Sequence, residues 1–174
     1  MQSQESLIVI GLTSGLGSIA CSVLDVSDDP DETIPFNVWS EVLSGPRKRR
    51  GVSHGRRYHA HRLMLEQYFS RWPPGVIALG PPSEKSEPIE WIVFMRSAVF
   101  ELGKSLRVPV ELFDTDEAVA RSLGASGGTG LKALIRRQMP EFSSNKRRVI
   151  LSTATAMAGA TRLRFPTPEE DNFT

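Results

Sequence analysis

Three groups of side chains in this sequence have the types and spacing to do chemistry. The first is cationic: Arg47-Lys48-Arg49-Arg50, followed by Arg56, Arg57 and Arg62, with no acid between Glu41 and Glu66. Such a cluster suits several phosphate contacts at once, and binding with a steep salt dependence. Tyr58, Trp72 and Trp91 can stack on bases or pack in a core, and Trp72 reads as core. The second group is His54, His59 and His61. The close pair at i, i+2 does not share a helix face and no cysteine accompanies them, so they extend the basic patch better than they make a zinc site. The third is acidic. Asp25, Glu84, Glu87, Asp114, Asp116 and Glu117 offer oxygens for a divalent ion. Asp25 lies at the far end of its strand from the Gly15–Gly17 turn, however, and the last three sit where a helix start attracts acids anyway. The glycine-rich Gly124–Lys132 lacks the Gly-Lys-Ser/Thr ending of a phosphate-binding loop and fits a backbone contact from Lys132 instead. Cys21 has no partner and reads as inert core.

Charge is strongly segregated. All 21 Lys and Arg residues lie between Arg47 and Arg164, a stretch with only ten acids and hence a charge of +11, although the whole chain is +1. That field fits an anionic partner. One cysteine excludes an intrachain disulfide framework and points to a reducing, intracellular compartment. No run approaches the ~20 apolar residues of a membrane span, and Met1–Ser6 carries an acid and no base, unlike a signal peptide. With 174 residues, 40% of them hydrophobic, the chain reads as one domain over residues 1–165, with a basic loop at 44–57 and an acidic tail at 166–174.

The elements that must position these groups follow from pattern. Leu7–Leu12 and Ile19–Leu24 read as antiparallel strands around a turn punctuated by Gly15 and Gly17, and Phe36–Leu43 as a third strand. Tyr58–Trp72 suits an amphipathic helix, stopped by Pro73-Pro74-Gly75. Val76–Leu79 is a short buried parallel strand, Ile89–Leu106 a long helix, and Val108–Phe113 another strand. A short helix at Asp116–Leu123, capped by Asp114 or Thr115, precedes the glycine loop. Leu131–Met139 and Arg147–Leu163 are the last two helices, the second rich in Ser, Thr, Ala and Gly. An antiparallel meander feeding parallel strands through helices implies an α/β fold: a mixed five-stranded sheet with helices on both faces.

In this order the chain resembles the RuvC family of Holliday-junction resolvases, within the RNase H-like superfold, over residues 7–163. Gly11-Leu12-Thr13-Ser14-Gly15-Leu16 matches in spacing that family's opening Gly-Ile-Asp-Pro-Gly-Leu. The helix–breaker–strand unit from His61 to Leu79, the helix Ile92–Leu106, the strand Val110–Phe113 and the loop Gly124–Lys132 are similar to family features in the same order. Ser152-Thr153-Ala154-Thr155-Ala156-Met157-Ala158 stands where the family has Asp-Ala-Ala-Asp-Ala-Leu-Ala. The resemblance places the family's acids at Thr13 in the first hairpin, at about Leu79, and at Ser152 and Thr155. None is acidic here. Two-metal phosphodiester hydrolysis needs carboxylates to hold its ions, and hydroxyls are poor ligands for Mg²⁺.

The resemblance therefore implies the fold without the usual chemistry: a degenerate resolvase homologue that binds branched or structured DNA or RNA and needs no cofactor. Phosphate contacts are expected from Arg47, Lys48, Arg49, Arg50, Arg56, Arg57, Arg62, Lys132, Arg136 and Arg137. A homodimer is expected by resemblance, and membership of a larger nucleoprotein assembly is compatible with it. Two alternatives stand beside this reading. One is a Mg²⁺-dependent structure-specific endonuclease with rearranged acids; the other is a protein-interaction subunit.

Overall fold

A nine-residue strand, β1 (Leu7–Gly15), holds the centre of the sheet, and the chain around it follows from its being covered on both faces. The computed structural model describes residues 7–15, 17–26, 37–45, 53–85, 87–125 and 128–164. The other strands are β2 (Ser18–Val26), β3 (Asn37–Ser44), β4 (Val76–Leu79) and β5 (Val110–Leu112). The helices are α1 (His54–Arg71), α2 (Ile89–Leu106), α3 (Asp116–Ser122), α4 (Leu131–Gln138) and α5 (Arg147–Arg164). Strand order is β3-β2-β1-β4-β5, antiparallel across β1–β2–β3 and parallel across β1–β4–β5. This is the mixed five-stranded α/β sheet expected from the sequence.

Side chains alternate between two cores. Ile10, Leu12, Ile77 and Leu79 join Leu65, Phe69, Trp91, Met95 and Val99 under α1 and α2. Val9, Val76 and Ala78 join Val119, Ile135, Ala154 and Met157 under α3, α4 and α5. Strands covered on both faces read as continuous apolar runs, hence the lack of polar alternation in Leu7–Leu12.

Three boundaries differ from expectation for local reasons. The β1–β2 ladder continues to the pair Gly15–Ser18, and Gly17 beside it takes φ of +69°. Thr13 and Ser14 thus lie within the strand. Helix α1 starts at His54, not Tyr58, because the Ser53 hydroxyl accepts the Arg56 backbone N–H at 3.3 Å as an N-cap. Residues 54–57 therefore belong to a helix, and residues 46–52 of the expected basic loop, Arg47–Arg50 among them, lie outside the described residues. The last strand narrows to three residues after Pro109, which has no N–H to give but accepts from Ile77 at 3.0 Å.

The tightest packing is between α5 and the sheet. Residues 151–159 of α5 are all buried, enclosed by the sheet on one side and α3 and α4 on the other. A Cβ on Gly11 would overlap the Ser152 carbonyl oxygen and lie 2.5 Å from the Ala156 nitrogen. A Cβ on Gly159 would lie 2.7 Å from that of Ala78. The obstacles at Gly11 are backbone and cannot rotate aside. Gly11→Ala is therefore expected to destabilise the protein by at least the ~1–3 kcal/mol of an overpacked core. Gly55→Ala, in the first turn of α1 with nothing among the described residues within 4 Å of its Cβ, is neutral or stabilising by about 0.5 kcal/mol. Denaturant unfolding of the two variants against the parent checks both.

Candidate functional site

The carboxyl ends of β1 and β4, the β1–β2 turn and the first turns of α1, α2, α3 and α5 meet at one edge of the sheet. Short hydrogen bonds tie that edge together. The Ser83 amide donates to Ser14 O at 2.9 Å, the Gly80 amide to Leu12 O at 2.8 Å, and Arg147 Nε to Ser83 O at 3.0 Å. Arg148 Nη1 donates to Ser18 Oγ at 2.9 Å. In open α/β sheets the carboxyl edge of the strands is where ligands bind.

Thr13, Ser152 and Thr155 converge beneath this edge. Thr13 lies on the α5 side of β1, fully buried, and donates to the Pro81 carbonyl at 2.5 Å. Ser152 Oγ is 2.8 Å from Ser22 Oγ, which also lies 2.9 Å from both Ser40 Oγ and Thr153 Oγ1. Thr155 is buried against Gly80, where a Cβ would overlap its hydroxyl oxygen, and that hydroxyl has no partner among the described residues. Leu79 does not belong with them. It points to the opposite face and packs with α1 and α2, so the residue that β4 presents to Thr155 is Gly80. The correction follows from strand alternation, which moves the position by one.

The candidate carboxylates are dispersed. Asp25 pairs with Ile8 at the far end of the hairpin. Asp114 is held by Arg96 at 2.6 Å and Asp116 by Arg147 at 2.8 Å. Glu117 is exposed on α3 and Glu84 is half-buried. Among the described residues no three of His, Cys, Asp and Glu gather as a metal-ligand group. Glu87 alone is buried near the edge, accepting from Ser14 Oγ at 2.6 Å. Burial pushes its carboxyl above the usual range, more than the Ser14 hydroxyl and the Glu84 amide pull it back.

The cations are less dispersed. Arg56 is exposed and Arg57 half-buried on the first turn of α1. Lys132 bonds the Asn145 side chain, Arg136 Nε donates to Phe142 O at 2.9 Å, and Arg137 is exposed. Arg62 faces elsewhere, bridging Glu66 at 3.1 Å and Glu101 at 2.5 Å. His61 is fully buried rather than part of a basic surface. Its Nδ1 is 2.6 Å from Arg57 O and its Nε2 3.2 Å from Gly17 O, so both ring nitrogens are engaged by carbonyls. His54 and His59 are exposed on α1.

Sequence reasoning passed over Lys146, Arg147 and Arg148, which open α5 at the same edge. The available signal was three successive cations at a helix N-terminus with no acid in its first turn, an arrangement the helix dipole disfavours.

Glu87 generates a pH prediction. A carboxyl raised in the folded state contributes stability that is fully present below its unfolded pKa and is lost as pH rises through the folded value. Glu87→Gln cannot ionise. It should therefore gain stability relative to the parent as pH rises above the unfolded glutamate value of about 4. Thermal unfolding of both proteins over that rise reads the difference; parallel curves would show no such loss.

No protein-family model matches the chain, and no curated protein matches it by sequence. Solved structures do. The chain is similar to the Thermus thermophilus RuvC structure with a TM-score of 0.68 and 15% identity, over 91% of this chain and 96% of that one. It is also similar to T. thermophilus RuvC in complex with Holliday junction substrate, again at 0.68 and 15%, over 92% and 97%. At that identity the likeness concerns architecture: the chain has a RuvC-like fold of the RNase H-like class.

Proposed function

We propose that this protein is a structured-nucleic-acid-binding module built on the RuvC-like fold, in which carboxylate-held metals no longer cut phosphodiesters. One observation carries the reading. At the carboxyl edge of the sheet, exposed and half-buried cations from α1, α4 and α5 gather, while the groove beneath them is closed by small neutral residues. Arg56, Arg57, Lys132, Lys146 and Arg148 supply the cations. A solved neighbour of this fold is RuvC in complex with a Holliday junction, which supports a branched partner.

The divalent ions implied by the fold do not fit the residues present. Their donors would be Thr13, Ser152 and Thr155, neutral hydroxyls of which two are already hydrogen-bonded, and Gly80, where even a Cβ has no room. Mg²⁺ prefers charged oxygens and gives up water reluctantly. A carboxylate at position 80 would displace Thr155, and Glu87 lies beyond strand β1, engaged with Ser14.

A labelled four-way junction and its matched duplex, titrated with Mg²⁺ at two salt concentrations, test this. Junction-preferring, salt-steep binding without cleavage is expected. Arg56→Ala and Lys146→Ala, both on exposed residues, should weaken binding uniformly, each lowering the log–log salt slope by about one for every phosphate left without its cation. Metal-dependent cutting would overturn the loss of catalysis. Absence of binding at low salt would overturn the nucleic-acid reading.

The expected homodimer has an observation of its own. Ile89 (73% exposed), Val93 (57%) and Phe100 (43%) share one stripe of α2 with Arg96. Sedimentation of the parent should show a dimer and Val93→Glu a monomer; a parent that sediments as a monomer at tens of micromolar would exclude it.

A further inference from the structure

Away from the hydroxyl-lined groove, a cavity of about 480 Å³ opens between the β1–β2 turn, the end of β3 and the first turns of α1, α2 and α5. That volume is in the range of small-ligand pockets. Its wall combines two arginines, Arg57 and Arg148, with the aromatic pair Tyr58 and Trp91, and Glu90 stands at its mouth.

Arg148 donates to the neutral Ser18 hydroxyl, and among the described residues neither guanidinium meets a carboxylate. Arg57 Nε is buried without a partner among them. Both residues stand in the first turn of a helix that has no acid there. The positive ends of two helix dipoles thus add to two cations, a placement that an anion would relieve.

The aromatic wall is rigid. Tyr58 stacks on Phe94 at 4.3 Å with planes 10° apart, and Trp91 meets His61 edge-on at 4.5 Å. Trp91 is only 4% exposed, yet its indole N–H has no partner among the described residues. A buried donor left unmade is costly. A ligand that supplies a flat ring to Tyr58 and an anion to the arginines satisfies both. Glu90 adds an acceptor for a hydroxyl or amino group and disfavours a bare polyanion.

We propose that this cavity is a nucleotide pocket, holding one unpaired nucleotide with its base against Tyr58 and its phosphate between Arg57 and Arg148. As a subsite for an unpaired nucleotide in a bound strand, it rests on the nucleic-acid reading above. As a pocket for a nucleoside monophosphate, it does not.

The test uses the full chain with three probes, each carrying 2-aminopurine: the free monophosphate, a duplex with a single-nucleotide overhang, and the blunt duplex. Quenching by the monophosphate, weakened about tenfold in Tyr58→Leu as removal of a base–aromatic stack would give and also in Arg57→Gln, supports the pocket with a free nucleotide as ligand. Quenching by the overhang alone, with the same losses, supports it with a strand as the source. Circular dichroism shows whether each variant is folded; Arg57→Lys, which keeps the charge, should recover part of the affinity. Duplex binding with no quenching in any probe, unchanged in Tyr58→Leu, would overturn the pocket and leave the nucleic-acid reading intact. Competition by inorganic phosphate as effective as by the unlabelled monophosphate would also overturn it, in favour of a bare anion site.

Discussion

Everything on one side of this sheet is governed by how closely α5 approaches β1. Gly11 touches the α5 backbone, Gly80 touches Thr155, and Gly159 touches Ala78. A helix seated this low leaves room only for hydrogen, methyl and hydroxyl on its inner surface, and residues 151–159 carry little else. Buried hydroxyls must be paired where they sit, and Ser22, Ser40, Ser152 and Thr153 pair with one another within a few ångströms of the β1–α5 interface. The close approach and the neutral groove are thus one constraint. A carboxylate placed on either surface would need both the space that the glycines have given up and a cation to offset its charge.

That constraint sends the ionisable chemistry elsewhere. Asp114 and Asp116 are held by arginines near the edge, and Glu87 lies on the other side of β1, where burial favours its neutral form. Cys21 is buried and its thiol is pushed well up by that burial, so it is inert. The arginines at the starts of α1 and α5 stand out because they oppose the helix dipoles instead of matching them. Stability alone does not favour such a placement; a surface that meets anions does.

The two cores explain why the chain was readable in some places and opaque in others. Val76–Leu79 and Ile89–Leu106 were legible to the residue, because breakers flank the strand and the length and apolar content of the helix leave no alternative. The start of α1 was not, because a single serine cap decides it and the cations around it resemble a loop. His61 looked like part of a basic patch because its neighbours in sequence are arginines. Its neighbours in space are Trp91, the Gly17 carbonyl and Gly45, packed so closely that a Cβ on Gly45 would overlap the ring.

By itself, the sequence determined the order of strands and helices, the segregation of charge, and the small neutral character of positions 13, 152 and 155. These depend on local pattern and composition, which a chain carries without folding. Only the tertiary structure decided that Gly80, not Leu79, faces Thr155, since a one-residue step in a strand reverses the face it presents. It alone placed Arg148 in one cavity wall with Arg57, more than 80 residues away in the chain. It alone separated Arg62 from that edge by giving it Glu101 as a partner. Such outcomes belong to register and close packing, which join residues that no sequence spacing connects.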